Sequence, residues 1–455
     1  MPCARSSALL PFLAHQHPDQ PVACRAGRSI ALRQMLADMH ALAERLPAAG
    51  FVLNGCQDRY RFTVGLGAAL LRGQVSVLPH NHVPHTLAQL GAQFPGLYCL
   101  SDESIPVAPL ALLRFPEQAA APGDHAVPCF DAQQPAVVLF TSGSTGQALA
   151  HARSWGAVVA GARAQARRLG LHAGQGWSIL GTVPSQHSYG FESSIQLALQ
   201  SGSVIVADRP FFPADVLDTL AGLARPRLLV TTPVHLRALL AASRPEATAD
   251  LVVSATAALP RALAREVERR FAAPLMEVYG CTETGQLATR RTVHADAWQP
   301  TDGVHVGVED GRAYAYGDRL AGRIALSDRI ELREAGHFVL RGRSDDMVNI
   351  AGKRSSLAFL ERQLMAIPGV VDAACLVSEE REGAAARVSA FVVAPTLDRR
   401  RILARLRERV DAAFLPRPLV LVEALPRDGN GKLPRRRLQA LALEHAGAAS
   451  EVDGG

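Results

Sequence analysis

A chain of 455 residues and 48.5 kDa is too long for one ordinary core and predicts two or three domains. With 48% hydrophobic and 20% charged residues it has a globular profile, and no uninterrupted apolar run is long enough to cross a membrane. A net charge of +6 is moderate for this length, and nothing in it calls for a nucleic-acid partner.

The seven cysteines are widely spread and never form a C-x-x-C pair, which disfavours both a disulfide framework and a zinc site. Ala8-Leu-Leu-Pro-Phe-Leu-Ala14 imitates a signal peptide, but Pro11 interrupts it and polar residues follow, so a cytoplasmic protein is expected. Of the 48 basic residues only Lys353 and Lys432 are lysines; the rest are arginines. A lysine retained in such a chain points to a position that needs a compact ammonium on a slim stem, unless the two survive by chance.

In chain order, apolar positions at helical spacing run over 30–46 and 58–71, with Val75–Pro79 and Tyr98–Leu100 reading as strands. Residues 103–135, rich in Pro and Ala, read as a loop-laden approach to a central strand. That strand, Ala136-Val-Val-Leu-Phe140, breaks without transition into Thr141-Ser-Gly-Ser-Thr-Gly146. Gly143 and Gly146 let backbone approach a ligand closely, while Thr141, Ser142, Ser144 and Thr145 add hydroxyls. Such a nest of donors suits a polyphosphate, yet no Gly-Lys-Ser/Thr follows, so it is not a Walker A loop.

A helix is expected over Trp155–Leu169. Short strands follow at 177–183, 203–207, 227–232 and 251–254 with helices between, and Pro274–Gly280 runs straight into Cys281-Thr-Glu-Thr-Gly285. This alternation predicts a parallel α/β sheet with helices on both faces, its ligands bound at the strand ends. From about Val304 the pattern turns to short strands, and beyond Asp345 to a small αββα-like unit. The final dozen or so residues read as a disordered tail.

Taken together, the loops resemble the adenylate-forming enzymes: acyl- and aryl-CoA synthetases, adenylation domains, carrier-protein ligases and luciferases. Thr141–Gly146 matches the family's phosphate loop and Tyr279-Gly-Cys-Thr-Glu283 its Tyr-Gly-x-Thr-Glu motif. Asp328 and Gly342-Arg-Ser-Asp-Asp346 match the ribose and hinge elements, Gly352-Lys-Arg354 the loop after the hinge, and Leu425–Arg435 the C-terminal lysine motif. The matches run in order along nearly the whole chain.

The resemblance implies a large N-terminal domain over 1–343 with parallel sheets and helices, binding ATP and the acid. A small mobile α+β domain over 346–455 would follow, with a hinge at Asp345. It implies that a carboxylate attacks the α-phosphorus of ATP to give acyl-AMP, which a thiol then cleaves. Thr141, Ser142, Gly143, Ser144, Thr145 and Gly146 would hold the β- and γ-phosphates, Thr282 the α-phosphate, and Glu283 a Mg²⁺. Tyr279 and Gly280 would border the adenine, Asp328 and Arg343 the ribose, and His187 with Gly280 the acid pocket. Lys432 would bridge acid and α-phosphate, and Gly352 and Lys353 would serve the thiol step.

Departures accompany the matches. The family's Pro-Lys after the phosphate loop is Ala148-Leu149 here, leaving Arg153 or His151 to replace the charge, and its Ser-Gly-Gly-Ala adenine segment is Ser254-Ala-Thr-Ala257. In detail the chain is similar to ligases of aryl polyene and xanthomonadin-type pigment clusters, which implies an aromatic acid and an acyl carrier protein as acceptor. An acyl- or aryl-CoA ligase, and a non-catalytic nucleotide-binding homologue, are the alternatives.

Overall fold

A computed structural model describes residues 8–79, 81–104, 107–142, 148–242, 247–257, 259–343, 347–350, 353–378, 387–426, 433 and 435–452. The chain divides into two compact units. One comprises Met1–His82, Leu87–Thr141 and Ala150–Asp345; the other comprises Val83–Thr86, Ser142–Leu149 and Asp346–Gly455.

Consecutive residues of the short apolar strands serve two different cores, which is why these strands read as continuous apolar runs rather than alternating ones. Ile179, Leu228, Val230 and Val253 face one core, which also receives Val52, Leu78, Leu100 and Leu139 from a second sheet. Their neighbours Leu180, Leu229 and Val252 face another, closed by helices Pro213–Gly222, Pro233–Ala241 and Arg261–Phe271.

The larger sheet has nine strands in the order 299–300, 285–290, 275–281, 251–254, 227–231, 178–181, 204–206, 21–25, 28–31. Its centre is parallel from Leu275–Cys281 through Pro21–Arg25, and antiparallel hairpins close both ends. The second sheet has six strands, in the order 148–154, 135–142, 75–78, 51–54, 98–101, 111–114. The expected doubly covered parallel α/β architecture is therefore present. Three strands over 305–326 and the ladder of Asp328–Leu332 with Phe338–Arg343 complete this unit around Tyr279, Leu287, Trp298 and Phe338.

In the second unit Asp372–Ser378, Arg387–Val393 and Leu419–Leu421 form a three-stranded sheet, one strand more than an αββα pattern predicts. Its two faces again take alternate residues: Cys375, Val388 and Ala390 on one, Ala374, Leu376 and Phe391 on the other.

Two expectations are corrected. The loop-laden stretch before the central strand contains strands Ala111–Arg114 and Cys129–Asp131. The C-terminal tail is helical over its described residues: a helix runs from Arg435 to Val452. Its Leu438, Leu441 and Ala442 pack on the face around Phe391, and its alanine-rich composition favours the helix beyond them.

Candidate active site

The Leu275–Cys281 strand turns back at Thr282-Glu-Thr284 into Gly285–Arg290. The ladder shifts register between Tyr279 and Gly280, a bulge that re-aims the strand end. Glycine is required at 280, because an added Cβ would fall on the Gly285 carbonyl oxygen and within 2.9 Å of the Gln286 Cα. Gly285 has φ +70°, the left-handed conformation that closes the turn.

Side chains from distant segments converge on this hairpin. The Tyr279 hydroxyl donates to Asp328 Oδ2 at 2.9 Å, and its ring lies against Trp298 and Phe338. Asp328 is paired across its ladder with Arg343. Arg153 donates to the Thr282 carbonyl at 2.8 Å, fixing the tip of the turn from 129 residues away. His151 Nε2 lies 4.0 Å from Glu283 Oε1. Burial holds the His151 pKa below its ordinary value, with Glu283 opposing the shift and Arg153 adding to it. The Cys281 thiol is pushed up to about 12, first by burial and then by the Glu283 charge, so it stays a neutral thiol.

His187 stands at the strand-to-helix turn after Ser178–Gly181, its N–H donating to the Pro184 carbonyl at 3.1 Å. Gly190 lets the chain pass that carbonyl, which an added Cβ would strike. Arg59, buried at the start of helix Arg59–Leu71, donates to the carbonyls of Gly181, Val183 and Asp208 and so holds this strand exit in place.

A family model described as "AMP-binding enzyme" matches residues 99–309, and one described as "AMP-binding enzyme C-terminal domain" matches 360–432. A 4-coumarate–CoA ligase of Halorhodospira halophila is 30% identical over 327 residues, covering 68% of this chain and 78% of that protein. The chain belongs to the adenylate-forming family. A 4-hydroxybenzoate–CoA/benzoate–CoA ligase of Rhodopseudomonas palustris is 26% identical over 436 residues, covering 85% of this chain and 78% of the relative. Among solved structures, an o-succinylbenzoate CoA synthetase from Bacillus subtilis superposes with a TM-score of 0.81 at 19% identity, over 95% of this chain and 99% of the other.

Of the residues that the adenylate-forming resemblance singles out, Tyr279, Gly280, Thr282, Glu283 and Asp328 stand together around one strand end. Lys353 belongs to the second unit, where its ammonium pairs with Asp411 Oδ2 at 2.5 Å. Gly143, Ser144, Thr145, Gly146, Asp345, Gly352 and Lys432 lie outside the described residues, as do the side chains of Thr141, Ser142 and Arg343. No cluster of three or more His, Cys, Asp or Glu side chains able to hold a metal is present among the described residues. No helix among them is long and apolar enough to cross a membrane.

Sequence reading missed Glu192. It lies in a π-helical segment, Phe191–Gln196, and accepts from Ser188 Oγ at 3.3 Å and from the Gln286 N–H at 3.1 Å. Burial raises its pKa, while Arg153, Ser188, Gln286 and Arg319 act in the opposite direction. Such a π segment often marks a functional site, but no local pattern in the sequence announces it.

Proposed function

We propose that this AMP-forming acid–thiol ligase activates an aromatic carboxylic acid as its acyl-adenylate and passes the acyl group to the phosphopantetheine thiol of an acyl carrier protein. The observation that carries the reading is the convergence of Thr282, Glu283, Tyr279 and Asp328 at one strand end. Arg153 fixes the Thr282 turn, leaving its hydroxyl a positioned donor for a phosphoryl oxygen. The half-buried Asp328 carboxylate suits the two ribose hydroxyls, with Arg343, its partner in the ladder, beside it. Glu283, a hard oxygen donor with its side chain 35% exposed, is the candidate ligand for a Mg²⁺, which when bound would offset charge on the phosphates.

The hinge at Asp345, the phosphate loop Thr141–Gly146, and roles for Lys432, Gly352, Lys353 and His187 complete the proposal from the sequence motifs. The acyl carrier protein is proposed because Arg399, Arg400 and Arg401 form an exposed basic start to a helix, suited to an acidic partner. The second reading, coenzyme A as acceptor, is favoured by relatives whose names are CoA ligases. Among the described residues the six cysteines are free, which suits a reducing compartment such as the cytoplasm.

Pyrophosphate release from ATP and Mg²⁺ over a panel of benzoic, cinnamic and medium-chain acids, without thiol, tests the first half-reaction. Release with aromatic acids only is the expected result, and release with fatty acids only refutes the substrate class. Adding CoA or phosphopantetheinylated carrier protein to the active pair then decides the acceptor. Faster turnover with CoA overturns the carrier-protein assignment.

A further inference from the structure

Two strand exits meet at one carboxylate. The first is the turn after Ser178–Gly181, where His187 and Ser188 open a helix. The second is the Thr282–Gln286 turn after Leu275–Cys281, which carries Thr282 and Glu283. Glu192 stands between them, in the π segment Phe191–Gln196. Its Oε1 accepts from the Ser188 hydroxyl at 3.3 Å and its Oε2 from the Gln286 N–H at 3.1 Å, so each oxygen holds one exit. Gly285 makes this approach possible, because an added Cβ there would stand 3.1 Å from Glu192 Oε1.

Successive residues of a helix point about 100° apart, yet Glu192 and its neighbour Ser193 both reach Gln286. Ser193 Oγ accepts from Gln286 Nε2 at 2.7 Å and from Gln165 Nε2 at 3.2 Å. Arg319 takes the Gln286 carbonyl at 3.4 Å. The N–H, the carbonyl and the amide nitrogen of Gln286 are thus each held from outside its own hairpin. At the other end of the turn Arg153 donates to the Thr282 carbonyl at 2.8 Å, so the turn is pinned at both ends with Glu283 between. Burial opposes the charge on Glu192, while Arg153 and Arg319 favour it. A carboxylate placed here carries a desolvation cost that packing alone does not repay.

We infer that Glu192 is a positioning residue for adenylation: its carboxylate locks the strand exit that carries Thr282 and Glu283 to the exit that carries His187. It acts through the two turns, both of its oxygens being engaged by them. The inference rests on the proposed roles of Thr282 and Glu283 at the phosphates and of His187 beside the acid. Under those roles the bridge sets the distance at which the acid meets the α-phosphorus. A misplacement of about 1 Å between reacting groups costs up to about a hundredfold in rate.

The test compares Glu192→Asp, which keeps the charge and loses the reach, with Glu192→Gln, which keeps the reach and one acceptor for the Gln286 N–H. Both leave a polar group at the site, so the comparison stands even where Glu192→Ala fails to fold. Pyrophosphate release is measured with the acid that the wild type turns over fastest. Glu192→Asp is expected to lower kcat by about tenfold or more, with KM for ATP and for the acid within about threefold of wild type. Glu192→Gln is expected to restore kcat to within about threefold. A merely structural role would move the thermal midpoint without this split between kcat and KM. An unchanged kcat in Glu192→Asp, an equal fall in both variants, or a loss carried mainly by KM overturns the inference and leaves adenylation standing. A wild type that releases no pyrophosphate with any acid removes the adenylation reading and this inference together.

Discussion

Replacing Tyr279 by phenylalanine separates the ring's packing from its hydroxyl. The ring is held by Trp298 and Phe338 at centroid distances of 5.6 and 5.7 Å, contacts that phenylalanine keeps. The 2.9 Å bond that the hydroxyl donates to Asp328 Oδ2 is lost. A hydrogen bond to a charged group contributes about 1.5–3 kcal/mol, and a half-buried carboxylate lets water replace part of it, which favours the lower end. About 1.5 kcal/mol corresponds to roughly tenfold in affinity. If Asp328 holds the ribose, the loss falls on KM for ATP, while kcat changes by no more than about threefold because neither side chain meets the reacting atoms. Initial rates of pyrophosphate release against ATP concentration measure both. Repeating them with 2′-deoxy-ATP closes a cycle, since removing the ribose hydroxyl and freeing Asp328 act on one interaction and should not add. An unchanged KM, or a fall in kcat alone, refutes the assignment of Asp328 to the ribose.

Other expectations follow from single observations. Gly280→Ala places a methyl group on the Gly285 carbonyl and should abolish pyrophosphate release while far-UV circular dichroism stays native; activity within threefold of wild type would show that the hairpin yields. Glu277 is buried and accepts from Arg290 at 2.7 Å, Thr292 at 2.8 Å and the Leu259 N–H at 3.2 Å. Glu277→Ala strands all three donors and should destabilise this unit by about 3 kcal/mol, read from urea unfolding by the fluorescence of Trp298, over which Arg290 stacks; a loss below about 1 kcal/mol contradicts the network's importance. His15 is 2% exposed, and burial lowers its pKa to about 4 despite the nearby backbone of Ser203 and Pro21. The unfolded chain therefore takes up its proton first, so stability present above pH 6.5 drains away as pH falls toward 4, by about 3 kcal/mol in all. His15→Leu should flatten that slope, and an equal slope in both proteins would remove His15 as its source.

Much of the fold was legible because the parallel strands are short, continuous apolar runs bounded by polar loops. Trp155–Leu169 and Leu251–Ser254 have the bounds expected of them. The strand Ala148–Ser154 was not legible. Its Ala-Leu-Ala-His-Ala-Arg-Ser sequence carries little β propensity, and it extends as an edge strand beside Pro135–Ser142 through tertiary pairing. At the site, the pentapeptide Tyr279–Glu283 was readable as a motif, whereas what positions it was not. Arg153 reaches Thr282 from 129 residues away, and Gln165 and Gln286 meet at Ser193 across 28 and 93 residues. Contacts between residues so far apart leave no periodicity behind.

The scarcity of lysine shows how far such a reading carries. Lys353 and Lys432 stood out equally against a background of arginine. Lys353 anchors the strand Lys353–Ser356 to Asp411, which also caps the short turn Ala412–Phe414 by accepting from the Ala413 N–H at 3.0 Å. An ammonium serves there as a point charge toward a carboxylate whose other oxygen is engaged, so no bidentate fork is needed. One of the two lysines thus has an architectural reason to persist, and rarity by itself does not distinguish a catalytic lysine from a structural one. The case for Lys432 then rests on its place in Leu425–Arg435, between two glycines and a leucine that follow the family's C-terminal pattern. The discriminating variant is therefore a lysine-to-arginine exchange at each position. At 353 the charge suffices and arginine should restore what alanine loses, whereas at 432 a broad guanidinium should fail to support adenylation as completely as alanine does.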